Sequence, residues 1–360
     1  NAILRINCKK SKLPFIIGFY LSFSSLCSQN LNELSFGDNY SLDVATWNIE
    51  WFPKNDQITI NYVVEIINHL DLDIIAIQEI DDTFLFDQML DSLPNYTGYY
   101  ESNWFAGLGY IFKSESIEIN NIYEIYTTSE YWNAFPRSPM VMDMSFRGDN
   151  YFIINNHFKC CGDGIIDFDN ESDEEYRRYE AINLIKDYID SNLANNKVIV
   201  LGDLNDDISE ESSNNIFQEI LNDSGHYNFL DMEIAQGSSS EWSFPNWPSH
   251  LDHILINNQL FYLMDNQEVL TIKIDEYMEG GWNQYDQNIS DHRPVAMKFR
   301  YSLIKFYDIN HDGIVDEYDF EELLSSLLGE SISNEILDLN SDSIINIFDL
   351  LLLSDFLQNR

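Results

Sequence analysis

The sequence predicts an α/β body followed by a small all-helical module, and three observations carry that prediction. From residue 42 to 302, short apolar runs suited to strands alternate with stretches of helical periodicity. Those runs repeatedly end in an acid, an amide or an imidazole. Beyond residue 306, one acidic pattern occurs twice, thirty residues apart.

The chain opens with Arg5, Lys9, Lys10 and Lys12, continues through a largely apolar stretch from Leu13 to Cys27, and then reads Ser28 and Gln29. A basic start, an apolar run and small polar residues predict a signal peptide over 1–28 and hence a secreted protein, with residues 29–41 as a linker. The apolar run is shorter than the roughly 18 to 20 residues needed to span a bilayer. Lipid attachment at Cys27 is the alternative. Against it, Ser24-Ser25-Leu26-Cys27 lacks a leucine three before the cysteine and a small residue just before it.

The strand runs follow in order. Asp43 to Trp47 lead into Asn48 and Glu50, and Ile74 to Gln78 into Glu79. Tyr151 to Asn156 lead into His157, and Val198 to Leu201 into Gly202, Asp203, Leu204, Asn205 and Asp206. His250, Leu251, Asp252 and His253 open the run Ile254 to Ile256, while Ser290, Asp291, His292, Arg293 and Pro294 open the run from Val295 to Phe299. Helical periodicity over Ile58–Leu70, Phe84–Leu93 and Tyr176–Leu193 supplies the covering layers. One carboxylate after a strand is ordinary edge polarity. Six ends of this composition predict a site, because layered α/β folds gather catalytic groups from strand ends and loops.

Thr46-Trp47-Asn48-Ile49-Glu50, Ile77-Gln78-Glu79, Asn156-His157-Phe158, Gly202-Asp203-Leu204-Asn205, Leu251-Asp252-His253 and Ser290-Asp291-His292-Arg293-Pro294 form an ordered set. Through it the chain resembles the endonuclease/exonuclease/phosphatase superfamily across residues 42–302. The resemblance implies the DNase I-like fold, two mixed β-sheets packed as a sandwich with outer helices, and metal-assisted phosphoester hydrolysis without a covalent enzyme intermediate. It also implies roles. Glu79, with Asn48 and Asp291, would hold Mg²⁺ or Mn²⁺ through hard oxygen donors. Asp203 would orient or deprotonate the attacking water, and Asn205 would donate to charge developing on the phosphoryl oxygens. His292 would contact the scissile phosphate with Asp252 fixing its tautomer, and His157 would bind the phosphate from the other side and protonate the leaving oxygen. Arg137, in Phe135-Pro136-Arg137-Ser138-Pro139, would grip a phosphate with its guanidinium fork. One departure is visible: some relatives pair the histidine at the His157 position with a glutamate, and none stands in Ala106–Phe112.

Past residue 306, Asp308, Asn310, Asp312, Gly313, Ile314, Asp316 and Asp319 occupy positions 1, 3, 5, 6, 7, 9 and 12 of a calcium loop. Asp338, Asn340, Asp342, Ile344, Asn346 and Asp349 repeat it, with Ser343 in place of the turn glycine. Each loop runs into an apolar helical stretch, Phe320–Leu328 and Leu350–Leu357, without an obvious entering helix. Aspartate at position 12 and the size of the repeat resemble a type I dockerin over 306–360. That resemblance implies two Ca²⁺ ions and a cohesin-like protein or cell-surface partner. The positions such modules use for recognition are here Glu317 and Tyr318, then Ile347 and Phe348, instead of the common hydroxyl pairs.

Charge sets a boundary on partners. Sixty-one acids against 19 bases give a net charge of −42, and residues outside 306–360 still hold 48 acids and 18 bases. Such a field repels polyanions at long range. Arg137, Lys159, Arg177, Arg178 and Arg293 lie in or near the motifs, which predicts a local positive rim. Three functions remain open. The first is a secreted nuclease cleaving DNA or RNA. The second is a phosphatase or phosphodiesterase of lipid or small phosphoesters. The third is an inert calcium-dependent attachment protein. The loop Gln236–Ser249, with Trp242, Phe244 and Trp247, offers aromatics that could stack on a base or a sugar, or simply pack. Cys160 and Cys161, three residues past His157, are either a vicinal disulfide or two free thiols.

Overall fold

The computed structural model describes residues 30–38, 40–101, 106–300, 307–310, 314–329, 337–339 and 344–358. The expected signal peptide, Cys8 and Cys27, and the calcium-loop residues Asp312, Asn340 and Asp342 lie outside the described residues.

Two six-stranded mixed sheets form the body. The first runs, in spatial order, β11 (Gln267–Thr271), β12 (Val295–Arg300), β1 (Ser41–Phe52), β2 (Ile74–Ile80), β4 (Gly107–Lys113) and β3 (Tyr96–Glu101). The second runs β5 (Glu118–Glu124), β6 (Met140–Phe146), β7 (Asp149–His157), β8 (Lys197–Asp203), β10 (Asp252–Asn257) and β9 (Tyr227–Phe229). Each sheet has one parallel pair at its centre, β1 with β2 and β7 with β8, flanked by antiparallel neighbours. Parallel pairing needs a crossover, and the helices α1 (Asp56–Leu70) and α3 (Glu174–Tyr188) supply it.

Local sequence explains these helices. Ile60, Val63, Ile66, Ile67 and Leu70 put one apolar stripe of α1 against its sheet, and Asp71 ends the helix in the left-handed region at φ 50°. The second helix, α2 (Thr83–Leu90), starts where Asp82 accepts a hydrogen bond from the Leu85 N–H at 3.0 Å. Asp173 caps α3 in the same way through the Tyr176 N–H at 2.8 Å. The periodicity read through Leu193 continues past α3 as a π-helical turn, Ile189–Leu193.

Strand periodicity divides the core into layers. Leu42, Val44, Ile74, Ala76, Tyr110, Met142, Ile153, Ile199, Leu201, Ile254, Ile256, Val295 and Met297 pack between the sheets. Residues of the other parity face outward. Ala45, Trp47, Ile75 and Ile77 meet α1 and α2, and Ile154, Val198, Val200 and Leu255 meet α3. Because side chains alternate along a strand, the inward rows Leu42-Val44-Thr46-Asn48, Ile153-Asn155-His157, Ile199-Leu201-Asp203 and Ile256-Ile254-Asp252 are each continuous. They begin in the apolar layer and end in the polar residues of the site. The sandwich therefore delivers its catalytic candidates to one end of the inter-sheet space.

A polar layer separates the two. Gln78 Nε2 donates to Asn155 Oδ1 at 2.7 Å and to Thr46 Oγ1 at 3.0 Å, and Asn155 Nδ2 donates to the carbonyls of Ile77 and Gly109 at 3.0 and 2.9 Å. All three side chains are buried and partnered, so they lock the registry of the two sheets just beneath the site.

In the C-terminal segment, helices Glu317–Leu327 and Ile347–Gln358 pack through Leu323, Leu350 and Leu353, with Phe356 stacked on Tyr307 at 4.4 Å. Asp319 accepts from the N–H groups of Ile309, Asn310 and Asp316 at 2.7, 3.1 and 2.8 Å. Asp349 repeats this with Leu339 and Asn346, at 2.7 Å each. The position-12 aspartate of each loop is thus buried and ties the loop back on itself.

Candidate active site

Strand ends set most of the site by parity, and two local departures complete it. Glu79 would face outward if β2 kept its alternation. Its φ of 68° turns the carboxylate back to the cleft. Glu50 and Trp51 sit in the left-handed region at φ 38° and 49°, where the β1–β2 register shifts, and both reach the same cleft. Bulges that re-aim side chains are common beside active sites. Gly202, at φ 143°, lets β8 pass β7 closely, since a Cβ there would stand 2.0 Å from the Asn156 carbonyl oxygen.

Asn48 is the hub. Its Nδ2 donates to Glu79 Oε1 at 3.1 Å and to Asp203 Oδ2 at 3.0 Å, while its Oδ1 accepts from the Glu50 N–H at 3.0 Å. Glu79 Oε2 accepts from the Trp51 N–H at 3.0 Å. His157 Nε2 lies 3.5 Å from Asp203 Oδ2 and 3.8 Å from Glu79 Oε1. Across the cleft, His292 Nδ1 donates to Asp252 Oδ2 at 2.7 Å, and its Nε2 points between Asp203 and Asp291 at 3.8 and 3.9 Å. Ser290 holds this arm in place: its hydroxyl donates to the Asn48 carbonyl at 2.6 Å and accepts from the His292 N–H at 2.9 Å.

Burial and crowding set the protonation states. Burial, with Asp252 and Glu79 nearby, pushes the Asp203 carboxyl up to about 7 against the pull of His292 and Asn48. Burial alone would lower His292, but Asp252, Asp203 and Asp291 prevail and raise it to about 10. Burial and the charges of Arg137 and His292 drive His157 well below its ordinary value, so that imidazole is neutral. Glu50 is raised by burial and by Asp291, whose N–H donates to its Oε2 at 2.7 Å, although Lys54 opposes the shift. Arg137 donates to the Ala106 carbonyl at 3.1 Å, and its charge is felt by Glu79 and Asp203.

Asn48, Glu79, His157, Asp203, Asp252 and His292 are thus linked contact by contact, and Asp291 joins through Glu50 and His292. Asn205 lines the same cleft in the left-handed region at φ 57°. Its N–H bonds Asp203 Oδ1 at 3.1 Å and its amide bonds the Phe158 carbonyl at 3.3 Å. The cavity holds about 480 Å³ and is lined by Glu50, Trp51, Glu79, His157, Asp203 and His292 together with Cys160, Cys161, Phe244 and Trp247. Phe244 lies against the His292 ring at 4.8 Å. Glu50 and Ser290 stand inside the quoted motifs and Trp51 directly follows one, but their places depend on the bulge and on the Asn48 carbonyl, which residue type alone does not reveal.

The donor set suits a hard divalent cation. Carboxylate oxygens of Glu79 and Asp203 converge on the Asn48 amide, Asp203, Asp252 and His292 each offer an atom within 4.8 Å of the others, and Asp252 Oδ1 is buried without a hydrogen-bond partner. In the C-terminal loops Asp308, Asn310, Ile314, Asp316, Asp319, Asp338, Ile344, Asn346 and Asp349 carry oxygen donors, the ligand type that calcium takes.

Of the five bases expected to form a positive rim, Arg137 and Lys159 stay near the cleft and the other three turn to the body. Arg178 is buried against Asp206 at 2.8 Å and Glu175 at 3.4 Å, and Arg293 forms a two-pronged pair with Asp275 at 2.8 and 2.7 Å. Arg177 donates to the Asn133 carbonyl at 2.6 Å. Motif proximity had suggested a place in that rim, whereas these guanidiniums tie loops to the body.

A second acid–imidazole cluster lies on the other face of β10. Asp231 Oδ2 accepts from His250 Nε2 at 3.0 Å and from His253 Nδ1 at 2.6 Å, and His253 Nε2 meets the Asp206 carbonyl at 2.8 Å. All three side chains are fully buried.

Comparison with known proteins agrees with this geometry. Residues 45–292 match the Endonuclease/Exonuclease/phosphatase family, and residues 306–358 match the Dockerin type I domain. Similar solved structures include D. rerio TDP2 complexed with single strand DNA product, at 13% identity and TM-score 0.54, covering 72% of this chain and 99% of that one. The human Nocturnin catalytic domain with bound sulfate anion is another, at 17% identity and TM-score 0.52, covering 73% and 95%. At these identities the likeness shows the fold. No curated protein matches the chain.

Proposed function

We propose, from the premise that the chain belongs to the Endonuclease/Exonuclease/phosphatase family, that it is a divalent-metal-dependent nuclease hydrolysing phosphodiesters of DNA or RNA. Hydrolysis of phosphoesters is the family's chemistry, and the substrate is the proposal. The observation that carries it is the pair Trp51 and Trp247, 43% and 80% exposed on the walls of the same cleft as His157 and His292. Large exposed indoles beside a phosphate-cleaving site are platforms on which bases stack, worth about 1 to 3 kcal/mol per base.

The residues divide the work. Glu79, Asn48 and Asp291 would hold Mg²⁺ or Mn²⁺, which supplies charge neutralisation at the phosphate when bound. Asp203, with its carboxyl near neutrality, orients the water and takes its proton. His292 is a cation whose Nε2–H donates to a phosphoryl oxygen, and Asp252 keeps that proton outward by holding Nδ1. His157 is neutral and flanks Asp203 from the opposite side, in line with a contact to the phosphate or the leaving oxygen. Asn205 and Arg137 add donors at the rim.

A second reading, a phosphatase or phosphodiesterase of small or lipid phosphoesters, is favoured by one observation. Arg178 and Arg293 are spent in ion pairs, so a body rich in acids lacks the cationic track that long nucleic acids require. The two readings separate in one assay. The full chain with Mg²⁺ is given single-stranded DNA, RNA, sphingomyelin vesicles and phosphoinositides, and wild type is compared with Trp247→Ala. Nucleic-acid cleavage with a raised KM in the variant supports the first reading, and turnover confined to the lipids establishes the second.

For the C-terminal module we propose two Ca²⁺ ions and a cohesin-like protein or cell-surface partner, which would place the enzyme outside the cell. Tyr318, Ile347 and Phe348, at the positions dockerins use for recognition, are 66%, 55% and 61% exposed. Exposed apolar side chains at matching places in both repeats suit a protein partner.

A further inference from the structure

The mouth of the cleft carries two thiols that the hydrolytic chemistry does not use. Cys160 and Cys161 are free and exposed, their sulfurs are 2.9 Å apart, and both line the cavity that contains Glu79, His157, Asp203 and His292. Their juxtaposition is built. Arg178, itself buried against Asp206 and Glu175, donates to the carbonyls of Lys159 at 2.9 Å and Cys161 at 2.6 Å. Cys161 is left-handed at φ 73° and Gly162 at φ 113°, and a Cβ on Gly162 would strike the Glu175 carboxylate at 2.1 Å. Glu175 also accepts from the Gly164 N–H at 2.6 Å. A buried ion-pair cluster therefore fastens both sides of the dithiol and holds the two side chains on one side of the loop.

The two sulfurs are not equivalent. The Cys161 thiol donates to Cys160 Sγ, and this bond, assisted by burial, holds the Cys161 thiol above its ordinary range. Lys159 Nζ lies 3.6 Å from Cys160 Sγ, which puts a positive charge beside that sulfur. This asymmetry gives a first nucleophile and a resolving thiol.

We propose that Cys160 and Cys161 are a reversible thiol–disulfide modification site on the wall of the catalytic cleft, oxidised by small disulfides of the glutathione class. The Cys160 thiolate attacks one sulfur of the small disulfide RSSR, forming a Cys160–SR bond and releasing one RSH after proton uptake. Cys161 then gives up its proton and attacks Cys160 Sγ, which forms the Cys160–Cys161 bond and expels the second RSH. The protein loses two protons and two electrons, and RSSR becomes two RSH. Adjacent Cα atoms are about 3.8 Å apart across a trans peptide, below the roughly 4.4 to 6.8 Å that disulfides prefer. The bond is therefore strained and readily reduced, which suits a switch better than a staple. Closing it must move the Cys161 carbonyl off Arg178 and shift the wall beside His157. A displacement next to the chemistry lowers turnover, by up to about a hundredfold for a shift of about 1 Å.

The test uses the full chain with Mg²⁺, treated with excess oxidised glutathione or with dithiothreitol. Three readouts are taken: the mass of the peptide containing residues 160 and 161, hydrolysis of bis(p-nitrophenyl) phosphate, and tryptophan emission from the cleft that Trp51 and Trp247 line. Expected for wild type are a peptide lighter by two hydrogens, turnover lowered by about ten- to a hundredfold, and changed emission, all reversed by dithiothreitol. Cys161→Ser should instead trap a glutathione adduct on Cys160, and untreated it should match reduced wild type. Adducts without the internal bond in wild type would overturn the proposal, as would an internal bond that leaves both turnover and emission unchanged. If the phosphodiester probe is not hydrolysed by any form, the functional reading fails, while mass and emission still decide this one.

Discussion

Asp252 and His253 are neighbours on β10, yet they serve opposite kinds of acid–imidazole cluster. Asp252 points inward to His292 and the cleft, and His253 points outward to Asp231 and His250. The closed cluster is satisfied. His253 faces two acceptors, a carboxylate and the Asp206 carbonyl, so both its nitrogens must carry protons. His250 accepts from the Ser243 N–H at 3.3 Å and donates to Asp231, which makes it a neutral tautomer. Burial would raise Asp231, but His253 and His250 pull its carboxyl well below the usual range. The open cluster is frustrated instead: Asp203 is pushed up to about 7 and Asp252 Oδ1 has no partner. The same residue types hold the fold together where every atom is matched, and retain reactive capacity where they are not.

The largest break in this contrast comes at Asp203. Asp203→Asn should lower kcat about 10³-fold, the scale of a lost general base. A carboxyl whose folded pKa lies above its unfolded value opposes folding once pH exceeds that unfolded value, so the same variant should raise the urea midpoint at pH 8. A variant that lost activity and stability together would assign Asp203 to the fold and not to chemistry. The mirror experiment is Asp231→Asn. It leaves the His253 cation buried without its counter-charge, at a cost of about 3 to 5 kcal/mol in unfolding free energy. Turnover per folded molecule should stay near wild type, and a selective loss of turnover would move Asp231 into the catalytic set.

Sequence reading found residues of the open cluster at strand ends and missed the closed one, and the reason is geometric. Inward parity was visible in Leu42-Val44-Thr46-Asn48 and Ile199-Leu201-Asp203, so the strand-end residues of the site were legible. Parity also put Asp252 and His253 on opposite faces, but nothing in the dipeptide tells which face meets the cleft. Glu50 and Trp51 depend on positive φ angles in a bulge, which bulky residues do not advertise. Arg178 and Arg293 look like parts of a positive rim in or near the motifs and become structural ties only when Asp206 and Asp275 are seen beside them. The edge strands β3 and β5 carry little apolar alternation and leave a weak trace. The polar layer of Thr46, Gln78 and Asn155 joins residues from three strands and has no local signature.

A smaller effect sharpens the division within β10. Asp252→Asn keeps the shape of the contact to His292 but removes the charge that holds Nδ1 protonated, and loss of such an orienting partner costs about 10- to 100-fold in activity. Its urea midpoint should change little beside that of Asp231→Asn. Equal stability losses in the two variants would show that both faces of β10 are structural.

The smallest expected effect is a pH dependence, and it tests the charge assigned to His253. Asp231 has a folded pKa below its unfolded value near 3.9, so its contribution is present above that pH and is lost as pH falls through the folded value. For His253, burial works against protonation, yet Asp231 and the Asp206 carbonyl overcome it and raise the pKa above 6.5. That contribution is complete below about 6.5 and declines as pH rises through the folded value. The stability difference between wild type and Asp231→Asn should therefore be widest between about pH 4 and 6.5 and narrow on either side, by on the order of 1 kcal/mol. Urea midpoints at pH 3, 5.5 and 9 measure it. A difference that stays flat across the three would mean that His253 is neutral throughout, and the closed cluster would then be held by hydrogen bonds without an ion pair.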